Sequence, residues 1–134
     1  LYSSSMIMDL SSEEQERVAK IAANIYRPCC GNSTAFPDCN HGMAILGLVE
    51  LMVDQGFADE QIYKAALAFN SYWFPQTYID LAYYFKTKEK LEWKDIDPKR
   101  VLGAQYSSAQ GYKGIKQLIQ GAPTLQKGGS SCGA

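Results

Sequence analysis

The feature that most constrains this chain is a helical spacing of apolar residues, repeatedly closed by proline or glycine. In "SSEEQERVAKIAANIY", Val18, Ile21, Ala22 and Ile25 fall on one helical face. Ser11 and Glu14 stand at the spacing of a capping box, and Pro28 closes the segment. "HGMAILGLVELMVDQ" is apolar on nearly all sides between Met43 and Met52, where Glu50 is the one charge. Such a helix belongs inside a bundle, and Gly56 ends it. Ile62, Ala65, Ala66, Phe69 and Trp73 step along a third face that Pro75 ends. Tyr78, Leu81, Ala82 and Phe85 step along a fourth. Lys86, Lys88 and Lys90 gather where they suit the negative end of that fourth helix. Asp97 and Pro98 read as the cap and first residue of another, continued by Val101, Leu102, Gln105 and Tyr106. Gly103, Gly111 and Gly114 weaken the helical signal from there to Gly121.

No stretch alternates as a strand does, and no segment repeats. The spacing predicts an all-α, single-domain bundle of about five helices, with helices two and three innermost. Residues 1–10 form an N-terminal arm, residues 28–40 a Cys-rich loop between helices one and two, and residues 122–134 an irregular Gly/Ser-rich tail. At 134 residues and 46% hydrophobic composition, a single core is expected across residues 1–134. A net charge of -1 gives no general hold on phosphates, which argues against nucleic acid as a partner. No apolar run reaches the ~18–20 residues of a membrane span. The chain begins at Leu1, as it would after removal of a signal peptide, so a periplasmic or secreted location is expected.

The loop "PCCGNSTAFPDCNHGM" holds Cys29, Cys30, Cys39, the only histidine (His41) and Met43. Asp38 or Asn40 is expected to cap helix two, which places Cys39 and His41 near a helix N-terminus. The field there favours an anionic sulfur and disfavours an imidazolium. Cysteine, histidine and methionine are the ligands that copper(I), zinc and mercury(II) select. The expected site is therefore a soft-metal centre of Cys29, Cys30, Cys39 and His41. Cys132 would close it from the tail, and Met43 would be an accessory ligand. Adjacent cysteines do not match the C-x₂₋₄-C spacing of a structural zinc finger.

Three other readings use the same residues. An iron–sulfur cluster would take the four cysteines, or three and His41. Two disulfides would staple a helical module that binds a ligand or protein without metal. Thiol–disulfide exchange would use Cys132 against the vicinal pair. A metal site implies capture, delivery, sensing or electron transfer, with a redox or metal-transfer protein as partner. The chain lacks C-x-x-C and C-x-x-C-H. That argues against a thioredoxin-like enzyme and covalent haem, so the expectation leans away from catalysis. Glu50 is expected to reach the bundle rim or pair with a cation. The aromatics between Phe69 and Phe85 are expected to fill the core around Pro75.

Overall fold

The computed structural model describes residues 9–119. The expected Cys132, the first eight residues of the arm and the tail lie outside them. Within them the fold is all-α, and the only β-type pairing is an isolated bridge between Tyr26 and Ser33. Helix α1 spans Ser12–Ala23, α2 Asn40–Asp54, α3 Asp59–Trp73 and α4 Pro75–Lys88. A 3₁₀ turn at Trp93–Asp95 leads to three shorter pieces: α5 Pro98–Leu102, α6 Ala104–Ser107 and α7 Ala109–Leu118.

Local chemistry explains each boundary. Ser11 accepts from the Glu14 amide while the Glu14 carboxylate accepts from the Ser11 amide, so the capping box is formed. Gly56 adopts φ +83°, the left-handed conformation that glycine enters at little cost. Pro75 and Pro98 open their helices at N1 or N2, where a missing N–H is harmless. The helix expected to continue from Pro98 breaks at Gly103 and Ser108, both extended. Close packing explains why α6 and α7 are separate pieces. A Cβ on Gly111 would lie 2.1 Å from the Ala104 carbonyl oxygen, so this approach demands glycine.

The core runs through Val18, Ile21 and Ile25, Ile45, Leu46 and Val49, Ile62 and Ala66, Leu81 and Phe85, and Val101 and Leu102. Helix α3 touches α2, α4 and α5, while α1 lies on α2 and α7 on α4. Leu51 and Met43 are exposed, so α2 is not apolar-covered all round. No helix among the described residues is long and apolar enough to cross a membrane.

Candidate functional site: a thiol loop built on a buried arginine

The loop between α1 and α2 is organised by Arg27, a residue with no apparent signal in its local sequence. Its side chain is 0% exposed. Nη2 lies 3.0 Å from Asp38 Oδ1 and donates at 3.1 Å to Cys30 Sγ. It also points at the carbonyl oxygens of Asn32 (3.4 Å) and Phe36 (3.5 Å). One guanidinium thus gathers four points of a loop that has no regular backbone pairing to hold it. Asn32 Nδ2 donates to the other Asp38 oxygen at 2.9 Å. That bond, with burial opposing it and Arg27 assisting, holds the Asp38 carboxyl below its ordinary value. Nε and Nη1 of Arg27 find no partner among the described residues. The Nη1 side abuts Gly42, where a Cβ would sit 1.9 Å away.

Backbone bonds fasten the loop's two edges. The Tyr26 amide donates to Leu102 of α5, and both the amide and hydroxyl of Thr34 donate to Ile25. The Cys30 carbonyl accepts from the Ala109 amide at 2.9 Å, so the first residue of α7 sits against the cysteine pair.

The cap of α2 differs from both expected candidates. Cys39, not Asp38 or Asn40, is the N-cap, its sulfur accepting from the Gly42 amide at 3.4 Å. Asp38 is drawn to Arg27 instead. Cys30 and Cys39 are half-buried thiols, not joined to one another. Cys29 packs against the core and is not among these thiols.

His41 departs from its companions. It is 0% exposed, packed against Trp73 (centroids 4.5 Å), Phe74 (5.0 Å) and Phe69 (5.7 Å). Its Nε2 lies 2.6 Å from Asn70 Oδ1. The neighbouring bonds fix which atom holds the proton. Asn70 Nδ2 donates to the Tyr26 carbonyl (3.0 Å), which can only accept, and to Tyr78 Oη (3.1 Å). Asn70 Oδ1 therefore faces the ring, and Nε2 must be the N–H. Ser107 Oγ gives its proton to the Val101 carbonyl at 2.7 Å, so Tyr78 Oη donates to Ser107 at 2.8 Å. The row runs His41, Asn70, Tyr78, Ser107, Val101, each giving to the next. Burial pushes His41 below its ordinary value of 6.5; the Asn70 bond opposes this and the Arg27 charge assists. The ring is held neutral, with a buried Nδ1 that has no partner among the described residues.

The expected ligand set is thus only partly brought together. Cys30 bonds Arg27, Cys39 caps α2, His41 faces the aromatic core, and Met43 is exposed. Among the described residues no three His, Cys, Asp or Glu side chains converge as a metal-holding group. Glu50 does not reach the rim as expected. It is 2% exposed on α2, with Oε1 unpartnered among the described residues. Asn70 has a legible signal in the sequence: it is a polar side chain among Ala66, Phe69 and Trp73 on a core-facing helix.

Fold and site together define an all-α protein whose α1–α2 loop carries two thiols, one of them bonded to a buried guanidinium, and leads into a helix that buries a neutral imidazole. No known protein family, curated protein or solved structure matches the chain.

Proposed function

We propose that the loop binds a soft, thiophilic metal ion through Cys30 and Cys39. The observation that carries this is the 3.1 Å bond from the buried Arg27 guanidinium to the Cys30 sulfur. A monovalent ion held by two thiolates carries one net negative charge. A cation in a partly desolvated loop offsets that charge far better than water at the same distance would. Two-coordinate thiolate binding suits copper(I) or mercury(II), and needs no third ligand. Zinc and an iron–sulfur cluster both call for more ligands, so they fit this pair less well. His41 Nδ1 and the exposed Met43 are accessory in this reading. Capture, delivery or sensing in an extracytoplasmic compartment is the role that follows.

The test is copper(I) titration under anaerobic conditions against a competing chelator. The expected result is one ion per chain, with affinity falling more than tenfold in both Cys30→Ser and Cys39→Ser. Unchanged affinity in the double variant, or no binding by the parent, overturns the proposal.

A second reading is favoured by Cys29, which does not stand as a thiol. In this reading Cys29 pairs with Cys132, which lies outside the described residues. Such a bridge would close a loop of roughly 100 residues and stabilise the fold by up to ~4–5 kcal/mol in the chain-entropy account. The chain is then a stapled helical scaffold whose ligand binds elsewhere. Two titratable thiols after denaturation without reductant, and no metal, would match that reading.

A further inference from the structure

Two clefts meet on the outer face of α3, away from the cysteine loop. One, of about 660 Å³, lies between α1, the start of α3 and the segment before α5. The other, of about 520 Å³, continues along α3 past Trp93. They share Lys64, Lys94, Ile96 and Pro98, so the two lysines stand at the junction over an apolar floor. Both volumes fall in the ~300–1,000 Å³ range of small-molecule sites.

The second cleft has a charge pattern with one sign only. Its walls are Leu67, Ala68, Tyr72 and Trp93, with Ser71, and its charged side chains are Lys64 and Lys94; no carboxylate among the described residues lines it. Neither lysine forms an ion pair among the described residues. The adjoining cleft does hold acids, but two of them are engaged. Asp59 is paired with Arg17 at 2.7 Å, and Asp97 caps α5 through the Lys99 amide. Glu60 and Asp95 remain there beside Lys20 and Lys99. Trp93 is held in place edge-on to the buried Tyr78, at 6.3 Å between centroids. Tyr72 is 83% exposed, far more than an aromatic that only fills a core.

We propose that this groove binds an amphipathic organic anion. The anionic head would sit between Lys64 and Lys94, and the apolar or aromatic body would lie along Leu67, Ala68, Tyr72 and Trp93. Two unneutralised ammonium groups at one end of an apolar trough select a negative head, while the trough rewards a body that inorganic anions lack. The inference stands apart from the metal reading, since it shares no residue with the loop.

The probe is 4-phenylbutyrate, titrated into the full chain and followed by amide chemical shifts. The expected result is saturable shifts at Lys64, Ala68, Tyr72 and Lys94, absent with inorganic phosphate and with 4-phenylbutylamine. The exposed pair Lys64→Glu/Lys94→Glu should weaken binding at least tenfold, and Tyr72→Ala several-fold, with unchanged circular dichroism. Equal binding of the amine or of phosphate overturns the proposal. So does undiminished affinity in the double lysine variant, or no saturable shift from the carboxylate.

Discussion

Asn70→Ala is the substitution that most directly tests the buried polar row. The side chain makes three hydrogen bonds, to His41, Tyr26 and Tyr78. Its loss orphans two groups outright: the His41 Nε2–H and the Tyr26 carbonyl. Tyr78 still donates to Ser107 and forfeits only an accepted bond. A buried group left unsatisfied costs about 1–3 kcal/mol, so the two together cost roughly 2–6. Burial of Asn70 at 0% exposure places the outcome in the middle of that range, near 4 kcal/mol, because water cannot easily replace the amide. Against a total stability of about 5–15 kcal/mol that is a large fraction. Urea denaturation at pH 7.5 is the assay. With a slope of ~2 kcal/mol per molar, the midpoint should fall by about 2 M. Tyr78→Phe removes one link and orphans only one N–H of Asn70 Nδ2, while Ser107 forfeits an accepted bond, so it should cost about 1 kcal/mol. A loss below about 1 kcal/mol for Asn70→Ala, or equal losses for the two variants, would refute the derived direction of the row.

Two further outcomes follow from the loop and the imidazole. Gly42→Ala should destabilise by about 3 kcal/mol or more, since its methyl would displace the buried Arg27 guanidinium. Gly47→Ala meets nothing within 4 Å and should be neutral or stabilising by up to about 1 kcal/mol; equal effects in thermal melts would contradict the packing. The His41 pKa is depressed in the fold, so the unfolded chain binds the extra proton first. Stability from this group is complete above pH 6.5 and declines as pH falls below it. The melting temperature should therefore drop between pH 7.5 and 5.5, and His41→Phe should flatten that slope whatever its absolute stability.

Boundaries set by local chemistry were legible in the sequence. The Ser11/Glu14 box, the Gly56 stop, the Pro75 break and the Pro98 start depend on neighbours within a turn, and each is where the pattern places it. The residues that organise the site were not legible, because their reasons are distant. Arg27 at the end of an amphipathic segment looks like a solvated charge. Its burial depends on Asp38, Cys30 and two carbonyls brought round by the loop. That same attraction removes Asp38 from the helix cap and leaves the position to Cys39, a residue type that cap preferences do not favour. His41 reads as a ligand beside three cysteines, while its partner Asn70 lies on another helix. The break at Ser108 goes with the close approach of α7 to α6 at Gly111, which periodicity does not record.

The Val101 carbonyl stands at the terminus of the polar row and has no proton to lend. The sense of each hydrogen upstream is therefore dictated from that remote end, much as the last car in a one-way street decides whether any other can turn. Whatever reshapes α5 is felt at the imidazole, at the other end of that row.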